Sequence, residues 1–241
     1  MNPYLSSSSL KCIARGQLLG RYRTVTSIFL LHVFCILGIN LLVSAVLQPT
    51  SVLHFLIYYI ATYLVYVVSG FFQAGEAYVY LKLANNQPIS YRDLFFCFRE
   101  DTNRTAVIQI WLAAFQLVTM LPSVIYHQFF MQSTGFLRID ANYLLLLFLG
   151  GICNIWIQLL FSQCFYLMLD FEAYSSRQLM KKSIQLMKGN KGRLFYIMLS
   201  FLPLYALGFL SLGIGFLWIR PYTYATYTNF YLDLIKKGNS L

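Results

Sequence analysis

The stretch LMKGNKGRLFYIMLSFLPLY, residues 186–205, decides the fold class, because a cluster of cations leads directly into an uncharged apolar run. The cations are Lys188, Lys191 and Arg193. This order is typical of a chain entering a membrane, where basic side chains stay among lipid headgroups and apolar ones enter the hydrocarbon. The composition of the whole chain separates this interpretation from a nucleic-acid patch or a strand in a soluble core.

The composition is that of a membrane protein. Of 241 residues, 59% are hydrophobic and 11% are charged, whereas soluble domains have roughly 45–50% apolar and about 25% charged residues. Apolar runs of about 18 residues or more predict spanning helices. We therefore expect an all-α, polytopic transmembrane bundle that forms one domain over residues 1–241. The net charge of +10 is expected to face anionic lipid headgroups and not nucleic acid.

Four apolar blocks predict four spans, over residues 25–47, 52–80, 105–131 and 141–169. The first span is closed by the turn Gln48-Pro49-Thr50-Ser51, and a short link with Arg138 and Asp140 joins the third to the fourth. Residues 1–24 are basic and predict an amphipathic helix on the membrane surface. Its apolar residues at near-helical spacing are Leu10, Ile13, Ala14, Leu18 and Leu19.

Residues 170–192 predict a short basic helix at the membrane surface. Ser175 and Gln178 have the spacing of a capping box, Gly189 is expected at the position that ends the helix, and Asn190 is expected to cap the next one. The basic residues here are candidate contacts for anionic headgroups or for a partner in the membrane. They are Arg177, Lys181, Lys182, Lys188, Lys191 and Arg193.

The last part of the chain leaves five or six spans open. Residues 194–219 carry no charge, and Gly213 and Gly215 allow a tight turn followed by a returning sixth helix to Ile235. Of the 18 basic residues, 14 fall in the amino end and the loops after spans two and four, which predicts that this side is cytoplasmic. Six spans place Lys236 and Lys237 there too, so we expect six, with both termini cytoplasmic and Arg220 reaching the outer interface.

Four motifs carry a resemblance to a known family: LMKGNKGRLF at 186–195, LSF at 199–201, GIGFLWIRPY at 213–222 and FYLDL at 230–234. With these motifs the chain resembles the bacterial membrane proteins grouped as domain of unknown function 975, which are similar in outline to the membrane domains of some glycerophosphodiester phosphodiesterases. The resemblance implies a multi-pass protein of the bacterial cytoplasmic membrane, with no established reaction. The motif residues favour turns and aromatic positioning near the two interfaces. They are Gly189, Gly213, Gly215, Pro221, Tyr222, Phe230 and Tyr231.

Polar residues inside the spans are the candidates for chemistry, because a charge there is costly. Glu76, preceded by Gln73, is expected either to face a cavity as an ion or proton ligand or to reach the headgroups with Lys82 or another cation as its partner. Asp170 and Glu172 are expected to neutralise the nearby basic helix. Asn154 and Gln158, with Gln163 close to their line, predict a polar stripe in span four. Other neutral polar residues within spans are Asn40, Gln109 and Gln116.

Two function classes follow. The five cysteines are dispersed and the three histidines, His32, His54 and His127, lie on different segments, so we expect no disulfide, metal or cofactor, and no enzyme. The favoured class is an accessory or scaffold protein whose basic cytoplasmic face contacts anionic lipids or a membrane-protein partner. The alternative is a small transporter or lipid-handling protein with a polar cavity near Glu76 and the stripe of span four.

Overall fold

The structure, a computed structural model, describes residues 4–47, 51–131 and 140–238. In these ranges the chain forms α-helices joined by short turns, with no β-strand. The prediction of an all-α bundle is therefore confirmed. The turn residues Gln48, Pro49 and Thr50 and the link residue Arg138 lie outside the described residues.

The helices follow the chain in a simple order. They are α1 (Ser7–Leu18), α2 (Tyr22–Val46), α3 (Val52–Ala84), α4 (Phe96–Arg99), α5 (Thr102–Tyr126), α6 (Ala141–Phe161), α7 (Cys164–Asp170), α8 (Ser176–Met187), α9 (Lys191–Leu199), α10 (Leu202–Leu210) and α11 (Phe216–Gly238). A 3-10 turn (Tyr91–Phe95) precedes α4, and a π-helical turn (His127–Met131) follows α5.

Five helical segments of the described residues are long and apolar enough to cross a membrane. They are Tyr22–Val46, Val52–Ala84, Thr102–Phe130, Ala141–Asp170 and Lys191–Leu210. The first four match the blocks expected from the sequence, and the fifth begins within residues 186–205, where the cation cluster meets the apolar run. Large apolar side chains such as Leu41, Phe148 and Phe209 are exposed on them, which gives the bundle an outer surface suited to lipid.

The chain reverses after α10, as the two glycines indicated. Leu212 and Gly213 have positive φ angles, and Gly215 lets α11 approach α10 so closely that a Cβ atom there would lie 3.0 Å from the Cα atom of Gly208. Helix α11 then returns antiparallel to α9, and Arg193 Nη2 near the start of α9 donates to Asp233 Oδ2 near the end of α11 at 2.9 Å. The expected turn and returning helix are confirmed.

Helix α11 lies inside the protein, and its composition reflects that place. Phe230 and Tyr231 are fully buried, and Tyr222 is 7% exposed. They pack against neighbouring helices, and their expected depth near the membrane interfaces stays a prediction. Thr226 and Asp233 are buried as well, which a helix enclosed by protein tolerates better than one facing lipid. That α11 crosses the membrane as a sixth span stays a prediction.

The amino-terminal helix α1 packs on the protein with the apolar face seen in the sequence. Leu10, Ala14 and Leu18 are fully buried in a cluster shared with α11, while Ile13 and Leu19 are exposed. The backbone N–H of Leu5 donates to the Asp233 carboxylate at 3.2 Å, which fixes the start of the segment. The amphipathic face thus covers α11, and only the remaining faces of α1 are open to a membrane surface.

The basic surface helix α8 begins and ends where the local signals placed it. Ser175 and Gln178 form a capping box, and Gly189, just after the helix, has a φ of +82°. Asn190 does occupy the N-cap position of α9. Its side chain, however, donates back to the Leu186 carbonyl at 3.1 Å, so the expected side-chain cap is wrong.

Candidate functional site

A cavity of about 730 Å³ opens among the apolar helices, lined by α2, α3, α5, α6, α7, α9 and α11. Its walls hold seven amide side chains, which are those of Asn40, Gln73, Gln109, Gln116, Asn154, Gln158 and Gln163. The structure thus gathers around one cavity the neutral polar residues that the sequence scatters over four spans. Apolar side chains such as Ile36, Leu112 and Phe165 complete the walls.

The amides are positioned by helix geometry and by a close helix approach. Asn154 and Gln158 are four residues apart and share one face of α6, where Gln158 Nε2 donates to Asn154 Oδ1 at 2.8 Å. Gln109 of α5 lies across Gly70 of α3, where an added Cβ atom would be 2.0 Å from Gln109 Cδ. The missing side chain at Gly70 lets Gln109 Nε2 donate to the carbonyl of Tyr66 at 2.9 Å.

Several polar atoms of the site are buried without a hydrogen-bond partner among the described residues. They are Gln109 Oε1, Gln163 Oε1, Arg220 Nε and Glu76 Oε2. Gln109, Gln163 and Arg220 line the cavity. Native proteins leave few buried polar groups unpaired, because each costs about 1–3 kcal/mol. The three side chains that line the cavity therefore keep hydrogen-bonding capacity that the described residues do not use.

Glu76 lies behind the cavity wall in a buried pair with His32. Its Oε1 atom is 2.7 Å from His32 Nδ1, Glu76 is 3% exposed, and the His32 ring stacks on Phe72 at 5.2 Å. His32 lines the cavity and Glu76 does not. Lys82, the expected partner of Glu76, pairs with Asp93 at 3.0 Å instead. The expectation that Glu76 reaches the headgroups beside Lys82 is therefore wrong.

Arg220 brings a positive charge to the cavity. The side chain is half-buried, and its Nη2 atom donates to the Tyr224 hydroxyl at 2.7 Å. The guanidinium also lies over the rings of Tyr224, at 4.5 Å, and Phe29, at 5.8 Å. It forms no ion pair with any carboxylate in the described ranges. The expectation that Arg220 reaches the outer interface is wrong, since its side chain is held in the cavity wall.

The six basic candidates between positions 177 and 193 divide into two groups. Lys182 lies over the Phe171 ring at 3.9 Å, Lys191 over the Trp156 ring at 4.5 Å, and Arg193 is paired with Asp233. The other three are exposed and have no recorded side-chain contact within the described part of the chain; they are Arg177, Lys181 and Lys188. Three of the six cations expected to face headgroups or a partner thus contact other residues of this protein.

The two carboxylates after span four do not neutralise the basic helix. Asp170 Oδ2 accepts from the Tyr231 hydroxyl at 2.5 Å. At Glu172 the backbone carbonyl accepts from Arg104 Nη1 at 3.0 Å. Neither carboxylate forms an ion pair with another described residue, so the expected neutralisation of α8 is wrong.

Sequence reasoning missed His32 and Arg220 as site residues. His32 and Glu76 are 44 positions apart on different helices, so no local motif links them. Arg220 follows an uncharged stretch of 26 residues, 194–219. A lone cation after such a run is the signal that could have marked Arg220 as a candidate site residue.

The fold and the cavity define a class: a helical bundle with five apolar candidate spans around a polar cavity. A family model described as "Protein of unknown function (DUF975)" matches residues 1–238, and the chain belongs to that family. No curated protein and no solved structure matches the chain.

Proposed function

We propose that this protein is an integral membrane protein that binds a small polar or amphipathic molecule in its cavity, as a transporter or lipid-handling protein does. The observation that carries the proposal is the convergence of seven amides and Arg220 on one cavity of about 730 Å³. Ligand cavities usually have volumes of about 300–1,000 Å³ and combine apolar walls with a few polar groups.

Packing alone is a weaker explanation of this arrangement. Protein interiors are close-packed and leave few voids larger than a water molecule. Polar side chains that only join helices would bond across the helix contact, whereas the bond between Gln158 and Asn154 lies within α6. Gln109 Oε1 and Gln163 Oε1 have no partner among the described residues, and both side chains line the cavity.

The experiment fills the cavity and measures what stays bound. Gln158 is exposed and lines the cavity, so Gln158→Trp is expected to reduce the free volume, and it also removes the donor to Asn154 Oδ1. Ile155→Trp is the matched control, because Ile155 is 42% exposed on the same helix and does not line the cavity. Purified protein in mild detergent is analysed by native mass spectrometry for retained small molecules and lipids.

The expected result is a retained species on wild type and Ile155→Trp that is lost from Gln158→Trp. Reconstituted vesicles then test whether the same species is moved across or between membranes. Equal retention by all three proteins, or retention by none, would contradict the proposal.

The accessory or scaffold function is a second candidate, favoured by the exposed cations Arg177, Lys181 and Lys188 on α8. In this proposal the surface lies on the cytoplasmic face of a bacterial membrane and contacts anionic headgroups or a membrane protein. Exposed lysines and arginines near an anionic surface contribute about 1 kcal/mol each. Changing all three residues to Glu is expected to abolish binding of the protein, through its α8 surface, to vesicles that contain anionic lipid. Unchanged binding would exclude this candidate.

A further inference from the structure

We infer that the cavity ligand carries a phosphate or carboxylate group and that Arg220 binds it. This inference rests on the proposed function, because it names the ligand class of the same cavity. It starts from the contrast between Arg220 and the arginines that hold carboxylates. Arg193 is 2.9 Å from Asp233 and Arg104 is 2.5 Å from Asp101, whereas Arg220 forms no ion pair in the described ranges.

The surroundings of Arg220 hold the guanidinium in place and leave a donor free. Tyr224 accepts from Nη2 at 2.7 Å, and the rings of Tyr224 and Phe29 lie against the cation. The Nε atom is buried and has no partner among the described residues. A guanidinium presents its N–H groups in a planar fork that matches phosphate and carboxylate oxygens. Because the Arg220 side chain lines the cavity, an anion bound there would lie beside a guanidinium that has no contacting carboxylate among the described residues.

The carboxylate of Glu76 does not occupy the anion position beside Arg220. Glu76 is the acidic residue beside this part of the bundle, and it is bound to His32 at 2.7 Å behind the cavity wall. Its charge partly offsets that of Arg220 at longer range, but it makes no contact with the guanidinium within ion-pair distance. A positive charge inside a low-dielectric site without a contacting anion attracts one strongly.

Two further groups restrict the ligand. Seven amide side chains, whose carbonyl oxygens are acceptors, line the same cavity, so the ligand is expected to carry hydroxyl or ammonium donors as well as the anionic group. The apolar part of the wall, with residues such as Leu37 and Met198, fits hydrocarbon. This chemistry occurs in the headgroup region of an anionic phospholipid and in a free hydroxylated phosphate or carboxylate.

The test uses the full-length protein in mild detergent and three probes: dihexanoyl-phosphatidylglycerol, dihexanoyl-phosphatidylcholine and inorganic phosphate, measured by isothermal titration calorimetry. Arg220→Gln removes the charge at the site. Arg99→Gln removes the same charge from an exposed arginine of α4 that has no recorded contact. Arg220→Lys keeps the charge without the planar fork, and serves if the neutral variant does not fold.

Wild type and Arg99→Gln are expected to bind phosphatidylglycerol at least about tenfold more tightly than Arg220→Gln, because hydrogen bonds to a charged group contribute that much. Arg220→Lys is expected to be intermediate. If inorganic phosphate competes with phosphatidylglycerol, the inference is supported with a free anion as ligand; if it does not compete, the inference is supported with a lipid headgroup.

Binding by Arg220→Gln or by Arg220→Lys equal to wild type would overturn the inference, as would equal affinity of wild type for the anionic and zwitterionic lipids. Gln158→Trp separates this failure from that of the proposed function. If Gln158→Trp loses the ligand and the Arg220 variants keep it, the cavity binds a molecule but Arg220 does not select its charge. If none of these variants affects binding, the cavity itself is not the site.

Discussion

The pair formed by His32 and Glu76 provides a quantitative test of the bundle interior. We expect His32→Phe to lower the free energy of unfolding by about 1–3 kcal/mol, the cost of leaving a buried polar group without its partner. Phenylalanine keeps a ring to stack on Phe72, which lies 5.2 Å away and nearly parallel, and removes both ring nitrogens, including the Nδ1 atom that contacts Glu76 at 2.7 Å. The loss would leave both Glu76 oxygens buried without a partner, since Oε2 has none among the described residues.

Glu76→Gln completes a double-mutant cycle with the same shape and no charge. An amide can still bond to His32, so we expect a cost of about 1.5 kcal/mol or less, the range of a neutral hydrogen bond. The double variant is expected to be more stable than His32→Phe alone, because a buried amide without a partner costs less than a buried carboxyl group without one.

Thermal unfolding in detergent is the assay. A change of 1 kcal/mol corresponds to about 2–4 °C in a chain of this size, so His32→Phe is expected to lower Tm by about 2–12 °C. The reasoning is refuted if His32→Phe costs less than Glu76→Gln, or if the costs of the two single variants simply add in the double variant.

Three further predictions concern packing, thiol chemistry and topology. Gly75→Ala is expected to lower stability by about 1–3 kcal/mol, because its Cβ atom would lie 1.9 Å from the Leu94 carbonyl oxygen, whereas Gly151→Ala, with open space around it, is expected to be neutral or stabilising in the same thermal assay. Burial raises the pKa of the Cys97 thiol to about 12, so a protein whose only cysteine is Cys97 should resist maleimide at about pH 8 while folded and react once denatured. Fast labelling of the native protein would contradict the burial. Because the unfolded thiol releases its proton at lower pH than the folded one, Cys97 also makes stability fall as pH rises from the ordinary thiol pKa toward 12. Lys237→Cys should be labelled only from the cytoplasmic side if α11 is a sixth span, and labelling from outside intact cells would exclude that arrangement.

The sequence by itself determined the features that depend on short-range signals. Apolar run lengths predicted the helices that form the five candidate spans. The capping box at Ser175 and the glycine at 189 located the ends of α8, because a cap needs only residues three or four positions apart. The four-residue spacing of Asn154 and Gln158 likewise placed both amides on one helix face.

Only the tertiary structure decided which polar groups meet. Glu76 binds His32 and not Lys82, and Arg220 turns into the cavity and not to an interface. A sequence read one helix at a time gives the face on which a residue lies, but the neighbour of that face depends on how each helix is rotated and packed. The approach of Gln109 to Gly70 belongs to the same class, because it requires two helices to pack at one particular height. The cavity is formed where these helices pack together, so it depends on the tertiary contacts and not on any local motif.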